Sequence, residues 1–167
     1  MSLFERIRDD HAAARRQLQA VRRAADAGQR AVRLERLKRG LTAHHMVEEA
    51  VVYAALAHAR GVPAEAEAAV QGHRTINALL ERLDSDSADD PGWEAALAEL
   101  DAAMRENFRT EETMVFAALY EGLTPPELEE LGRTLVTRMQ IAQELFEPIE
   151  DTGEETGRPS ALELGPM

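Results

Sequence analysis

A histidine and a glutamate interrupt an apolar stripe that otherwise runs unbroken along a predicted helix. The stretch 31–60 lacks proline and is rich in strong helix formers, with Gly40 as its one weak position. His44 and Glu48 lie one helical turn apart, on the face that the apolar residues occupy. Those apolar residues follow the spacing of an amphipathic helix: Leu34, Leu37, Leu41, Val51 and Ala55. Because an unpaired carboxylate is costly to bury, the pair indicates metal ligands on the inward face.

A second copy of this pattern covers residues 107–119. Its first glutamate, Glu111, corresponds to Glu48, but Asn107 stands where the first copy has His44. The other corresponding positions are Glu112 with Glu49, and 116–119 with 53–56. The chain therefore contains an internal duplication in which one metal-ligand position has changed.

Each copy is preceded by another amphipathic stretch that carries one inward histidine, His11 in the first and His73 in the second. The apolar residues that continue these faces are Ala14, Leu18 and Val21 after His11, and Ile76, Leu80 and Leu83 after His73. We therefore interpret the chain as a duplicated pair of helices. Short connections between long helices favour antiparallel neighbours, so the predicted fold is all-α: an antiparallel up-down-up-down four-helix bundle with an additional C-terminal helix.

Turn and cap residues place the ends of these helices. Asp26-Ala27-Gly28 is expected to end the first helix, Asp90 and Pro91 to begin the fourth, and Thr124-Pro125-Pro126-Glu127 to begin the fifth as a capping box. The predicted helices are 3–25, 31–60, 64–83, 91–121 and 125–147. The predicted domain is 1–149, with core repeats at about 3–60 and 64–120. Residues 150–167 are predicted to be a disordered acidic tail.

Composition narrows the function classes. The 167 residues suffice for one domain with a core, and the absence of cysteine excludes disulfides, thiolate metal sites and cysteine catalysis. A net charge of −12 argues against nucleic-acid binding. No long apolar segment or signal peptide is present, so we expect a cytoplasmic protein that does not bind membranes. Residues 1–40 hold 11 basic and 5 acidic side chains, and we expect these basic groups to pair with acidic neighbours.

Several side chains near the stripes receive structural interpretations. Met104, Met114, Ala25 and Leu145 are expected to face inward. Tyr53 and Phe116 are expected to pack against the fifth helix, and His58 to lie on the surface near a helix end. Glu49 and Glu112 are either acceptors for a ligand imidazole or solvated, and we favour the solvated alternative.

Inward residues at similar heights in a bundle converge on its axis, where metal sites are commonly built. The predicted ligands are His11, His44, Glu48, His73 and Glu111, with Asn107 and His45 as candidate additional ligands. Imidazole and carboxylate donors without thiolates suit iron, manganese or zinc. Two carboxylates shared between two histidine groups suit a pair of metals bridged by Glu48 and Glu111.

Residues 44–56 contain a histidine, three further residues, two glutamates and an aliphatic-aromatic run. This pattern resembles that of hemerythrin-like proteins of the HHE cation-binding type. The lone histidines His11 and His73 match the first and third helices of that family, and the resemblance covers about residues 3–120. It implies a bundle that holds two non-haem iron ions, bridged by Glu48 and Glu111, and that binds oxygen or reacts with peroxide or nitric oxide.

Asn107 departs from the family pattern, which has a histidine there, and an amide oxygen is a weak ligand beside imidazole. Three interpretations follow. The site binds two metals asymmetrically, with water, Asn107 or His45 filling the gap; it holds one metal; or it no longer binds metal.

Three function classes remain open at this point. The first is a di-iron module that binds or senses oxygen, another small diatomic molecule, or iron. The second is an oxidoreductase that decomposes peroxide or repairs iron centres. The third is a metal-free helical interaction protein. The sequence assigns no catalytic acid or base and no oligomeric state.

Overall fold

The computed structural model describes residues 2–60, 64–85 and 91–146, and within these ranges all regular structure is helical. Two stretches are π-helical, with one more residue per hydrogen-bonded turn than an α-helix. We call Glu48–Tyr53 the first π segment and Glu111–Val115 the second. The α-helices are α1 Leu3–Arg22, α2 Ala27–Val47, α3 Ala54–Arg60, α4 Ala64–Ser85, α5 Pro91–Thr110, α6 Phe116–Gly122 and α7 Pro125–Phe146.

These helices form the predicted antiparallel four-helix bundle with an additional C-terminal helix. The first and third bundle helices are α1 and α4. The second is α2 continued by the first π segment and α3, and the fourth is α5 continued by the second π segment and α6. The fifth helix, α7, packs against α1, α2 and the first π segment. Among the described residues, none of the helices combines the length and apolar character that crossing a bilayer requires.

Cap residues explain where the helices begin, and they correct one predicted boundary. Ser2 and Glu5 form a reciprocal capping box at the start of α1. Asp26 accepts a 2.7 Å hydrogen bond from the Gln29 amide and is the N-cap of α2. The prediction that Asp26-Ala27-Gly28 ends the first helix was therefore wrong, since α1 ends at Arg22 and α2 begins at Ala27. Asp90 and the predicted tail 150–167 lie outside the described residues.

The two π segments shift the apolar stripes. Each begins at one of the paired glutamates, Glu48 or Glu111. The wider turn rotates the following residues relative to an α-helix, so Val115 is 1% exposed and Met114 is 45% exposed. The prediction that Met114 faces the core was therefore wrong, because it assumed an uninterrupted α-helical period.

The core consists of two apolar clusters at opposite ends of the bundle. One contains Leu3, Phe4, Ile7, Ala43, Val47, Val51, Val52, Tyr53, Leu56, Val115, Phe116, Leu119, Leu135, Met139 and Ala142, among others. The other contains Leu18, Leu37, Leu41, Ile76, Leu80, Trp93, Leu97, Leu100, Met104 and Phe108, among others. Ala25 and Leu145 were predicted to face inward, but both are exposed. Ala25 follows the end of α1. Leu145 lies near the end of α7, beyond Ala142, which is the last residue of α7 in the core.

Candidate metal centre

A layer of buried polar side chains lies between the two apolar clusters. All four bundle helices contribute to it, and each member is at most 4% exposed. The members are His11, His44, His45, Glu48, His73, Asn107 and Glu111. The structure thus brings every predicted ligand and both additional candidates into one layer, whereas His58 is exposed.

Four members of the layer direct ligand atoms at one another. One nitrogen or oxygen from each of His11, His44, Glu48 and Glu111 lies within 4.8 Å of the others. His11 Nε2 is 2.9 Å from Glu111 Oε2, and His44 Nε2 is 3.3 Å from Glu48 Oε2. These four atoms are buried without a hydrogen-bond partner in the described structure. Buried polar atoms that face one another unpartnered are what a cation would satisfy, and imidazole with carboxylate suits iron, manganese or zinc.

The other oxygen of Glu111 faces a second group of donors. Glu111 Oε1 accepts hydrogen bonds from the Tyr53 hydroxyl at 2.9 Å and from Asn107 Nδ2 at 3.0 Å. His73 Nε2 lies 2.9 Å from the same oxygen and 3.6 Å from Glu48 Oε2. His73 therefore faces both carboxylates, although it lies outside the four-atom cluster. Glu111 connects the two halves of the layer, with one oxygen in each.

The second glutamate of each pair orients a histidine of the other repeat. His11 Nδ1 lies 2.7 Å from Glu112 Oε1, and His73 Nδ1 lies 2.9 Å from Glu49 Oε1. An ionised carboxylate can only accept a hydrogen bond, so Nδ1 donates to it, and Nε2 is directed at the centre of the layer. Such carboxylate contacts typically orient metal-ligating histidines. The expectation that Glu49 and Glu112 are merely solvated was therefore wrong, although both remain partly exposed.

The electrostatics of the layer also favour a cation. Burial, together with the negative charge of Glu111, raises the pKa of Glu48 to about 7. Burial opposes ionisation of Glu111 as well, but the imidazoles of His11 and His73 hold its pKa well below the usual range. Although burial disfavours the imidazolium form of His73, the carboxylates of Glu111 and Glu48 raise its pKa to about 10. Burial lowers the pKa of His44 well below its ordinary value, so His44 presents the neutral form that metals bind.

The two candidate additional ligands differ in their surroundings. The His45 ring stacks on that of His73 with centroids 3.9 Å apart, outside the four-atom cluster. Asn107 Nδ2 also lies 3.3 Å from the carbonyl oxygen of Ala69. The Asn107 side chain rests on Gly72, where an added Cβ would lie 2.8 Å from Nδ2. In this orientation Asn107 acts as a hydrogen-bond donor to the layer, and Gly72 provides the space for it.

Sequence reasoning missed two side chains at the site. Tyr53 lies in the first π segment, which packs against α7 as expected, but its hydroxyl also reaches Glu111. Tyr53 and Phe116 occupy corresponding positions in the two repeats, and only Tyr53 carries a hydroxyl. This difference between the repeats was the available sequence signal. Asp10 Oδ2 lies 4.0 Å from His44 Nδ1 and accepts a 3.0 Å hydrogen bond from Arg6 Nε. No sequence signal distinguished Asp10 from its neighbours.

Comparison with known proteins agrees with the fold and with the chemistry of the layer. The chain is similar in structure to a hemerythrin HHE cation-binding domain-containing protein from Mycobacterium kansasii, with a TM-score of 0.77 and 22% identity over 87% of this chain and 89% of that one. At this identity the likeness establishes the fold alone. A search of curated proteins found no match. The sequence model of the hemerythrin HHE cation-binding domain matches residues 2–119. The chain therefore belongs to the family of hemerythrin HHE cation-binding domains.

Proposed function

We propose that the polar layer holds two non-haem iron ions, bridged by Glu48 and Glu111, and that the chain binds oxygen or another small diatomic molecule there. The observation that supports this proposal most directly is the convergence of four unpartnered ligand atoms within 4.8 Å in a buried layer. Family membership supports a metal, typically iron.

The two halves of the layer would hold their ions unequally. His11 and His44 supply nitrogen donors on one side, together with one oxygen each from Glu48 and Glu111. On the other side His73 is the nitrogen donor that faces the carboxylates, and Asn107 and the Tyr53 hydroxyl occupy the remaining contacts of Glu111. We propose that the second position binds its ion more weakly, since an amide and a phenol replace an imidazole.

The chain's own residues prepare this site in three ways. Glu112 and Glu49 fix the rings of His11 and His73, so that Nε2 is available. The two apolar clusters exclude bulk water on either side of the layer. Tyr53 keeps its proton, because burial, with the negative charges of Glu48 and Glu111, raises its phenol pKa. Bound iron would supply reversible binding of a small diatomic molecule or electron transfer to one.

The protonated Tyr53 favours a second candidate function, decomposition of peroxide. Its hydroxyl is buried, lies 2.9 Å from Glu111 Oε1 and is the one phenol of the layer among the described residues. A phenol that keeps its proton at that place can donate a hydrogen bond to an oxygen-containing substrate. Steady oxygen evolution from peroxide would favour this candidate, and an optical change reversed by removing oxygen would favour the first.

Metal content tests the proposal. We expect protein produced with iron to retain up to two iron ions per chain after dialysis, measured by elemental analysis. His11→Ala and His73→Ala should each lower that content, because each removes a nitrogen donor from one half. His58→Ala is the matched control, since that histidine is exposed, and it should leave the content unchanged.

Asn107→His tests the inequality of the two halves. An imidazole at this position should raise the iron content toward two per chain, because nitrogen replaces a weak amide donor. Equal iron content in wild type and Asn107→His, below two per chain, would contradict the proposal that Asn107 weakens the second position. If His11→Ala and His73→Ala both retain as much iron as the wild type, the result would contradict a metal centre in this layer.

A further inference from the structure

A groove of about 840 Å³ between α1 and α2 is lined by arginines. The side chains that carry its charge are Arg16, Arg23, Arg33 and Arg36, and the remaining lining residues are Ala13, Gln17, Gln19 and Ala20. Four positive charges around one groove are unusual in a chain of net charge −12. The groove lies on the outer face of the α1–α2 pair and is separate from the polar layer.

The positive charge of this groove is not balanced within the described structure. Arg33 donates to the Ala20 carbonyl oxygen at 2.7 Å and to Gln29 at 3.3 Å, both neutral acceptors. Arg16, Arg23 and Arg36 form no ion pair with any residue in the described ranges 2–60, 64–85 and 91–146.

Basic residues close to the groove in sequence do find carboxylates. The pairs are Arg22 with Asp101 at 2.9 Å, Lys38 with Asp84 at 2.8 Å and Arg39 with Glu35 at 2.7 Å. The expectation that the basic first hairpin pairs with acidic neighbours therefore holds for these residues and fails for the arginines of the groove. The groove is accordingly suited to an anionic partner.

The helix α7 leads toward this groove. Near its start, Gly132 lies against the backbone of Leu3, with a Cβ position 3.3 Å from the Leu3 nitrogen. Farther along, Ala142 belongs to the same apolar cluster as Val47 and Ala43 of α2. Phe4, near the start of α1, stacks on Tyr120, near the end of α6. Because only two residues connect α6 to α7, α7 begins at this end of the bundle, and its contacts with α1 and α2 show that it runs along their face toward the other end.

The distances that remain are short. At 1.5 Å per residue, Phe146 lies about 6 Å along the axis beyond Ala142, and Arg36 lies about 10 Å beyond Ala43. Nine extended residues, 147–155, can span about 30 Å, which is the axial length of about 20 helical residues.

We propose that the acidic segment 147–155 of this chain docks in the arginine groove. The segment carries five carboxylates and no basic residue: Glu147, Glu150, Asp151, Glu154 and Glu155. Its charge complements the groove, and its attachment at the end of α7 supplies it at high effective concentration. Single exposed ion pairs contribute little, so docking depends on several carboxylate–guanidinium contacts together and is sensitive to salt.

A spin label tests this docking directly. The chain has no cysteine, so Thr156→Cys provides a unique attachment point just beyond the acidic segment. In the full-length protein loaded with zinc, a diamagnetic ion that suits the same donors, we expect the label to weaken the backbone amide signals of Ala13, Ala20 and Arg36, relative to a sample carrying a diamagnetic analogue of the label. Amides on the outer faces of α4 and α5 should keep their intensity.

The charges are tested separately from the fold. Signal loss should disappear in Arg16→Gln/Arg23→Gln/Arg36→Gln, and it should persist in a control that removes the same charge elsewhere, Arg74→Gln/Arg105→Gln/Arg109→Gln. It should also shrink when salt is raised from about 0.01 M to about 1 M, since the Debye length falls from about 30 Å to about 3 Å. Circular dichroism should show unchanged helix content in both variants.

Two results would overturn the proposal. Uniform signal loss over all helices, or none in the groove, would show that the segment does not dock there. Signal loss of the same size in isotope-enriched, label-free chains mixed with labelled, unenriched chains would show that a second copy occupies the groove. Neither result bears on the metal centre, because iron content is measured independently.

Discussion

Glu111 shows how one residue can serve both halves of a site. Its Oε2 faces His11 in the four-atom cluster, and its Oε1 accepts hydrogen bonds from Tyr53 and Asn107. The two hydrogen bonds to Oε1 hold the carboxylate in one orientation. The side chains around Oε1 therefore control where Glu111 can place its charge.

Tyr53→Phe is expected to destabilise the metal-free protein by about 1.5–3 kcal/mol, the range for a hydrogen bond to a charged group. The phenol is buried and its hydroxyl lies 2.9 Å from Glu111 Oε1. The free energy of unfolding, measured by urea titration, checks this. Tyr120→Phe is the matched control, since Tyr120 is 63% exposed, and it should change stability by less than about 0.5 kcal/mol. Equal effects of the two substitutions would contradict a stabilising role for the Tyr53 hydroxyl.

Gly72→Ala is expected to destabilise the protein by about 1–3 kcal/mol through overpacking, even though alanine is normally the better helix residue. The added Cβ would lie 2.8 Å from Asn107 Nδ2. Gly40→Ala provides the matched control, because the nearest atom there is the flexible Gln17 side chain at 3.3 Å. That substitution should stabilise the helix by about 0.5–1 kcal/mol.

A double-mutant cycle separates the Gly72 contact from other effects. In an Asn107→Ala background, Gly72→Ala should lower the free energy of unfolding by less than it does alone, because the amide that the new Cβ contacts is absent. Additive free energies of unfolding in this cycle would show that the two residues do not interact.

At the scale of elements, the π segments and the caps set the positions of the site residues. Both π segments begin at a glutamate of the polar layer, and such bulges occur often at functional sites. The wider turn moves Tyr53 into the layer and Met114 to the surface. The cap at Asp26 sets where α2 begins.

Asp26→Ala is expected to lower the free energy of unfolding by about 0.5–2 kcal/mol, since it removes the N-cap acceptor for the Gln29 amide. Asp9→Ala removes the same charge from an exposed α1 position and should change stability by less than about 0.5 kcal/mol. Urea titration of both variants measures the difference. If Asp9→Ala costs as much as Asp26→Ala, the effect comes from charge rather than from capping.

At the scale of the whole molecule, the two apolar clusters are joined through a polar layer. That layer carries buried Glu48 and Glu111 side by side, and the raised pKa of Glu48 shows that both are not readily ionised together. A cation that binds only the folded chain adds its binding free energy to folding. At the proposed site, metal binding and global stability would therefore be coupled through these two carboxylates.

Removing metal with a chelator is expected to lower the melting temperature. Free metal at about 100 times its dissociation constant stabilises the fold by about 2.7 kcal/mol. For chains of this size, each kcal/mol of stability shifts the melting temperature by about 2–4 °C. The shift should therefore be about 5–10 °C in a thermal melt. His11→Ala should show a smaller difference between loaded and chelated samples. Equal melting temperatures of loaded and chelated wild type would contradict metal binding in the layer.

The amino-acid sequence by itself determined the helical class, the duplicated pairs and the polar residues that interrupt the inward faces. Amphipathic period, caps and polar interruptions are local properties, so His11, His44, Glu48, His73 and Glu111 could be identified as one layer before their distances were known. The bounds of the domain and the disordered state of the tail remain predictions, and so does the ligand set.

Only the tertiary structure decided how the members of the layer are paired. The α-helical period misplaced Met114, because the π turn that begins at Glu111 rotates the residues that follow it. Contacts between repeats, such as His11 with Glu112, join residues far apart in the chain, and no local pattern specifies them. The fit of Asn107 against Gly72 likewise depends on the close approach of two helices, where the absence of one Cβ leaves room for the amide.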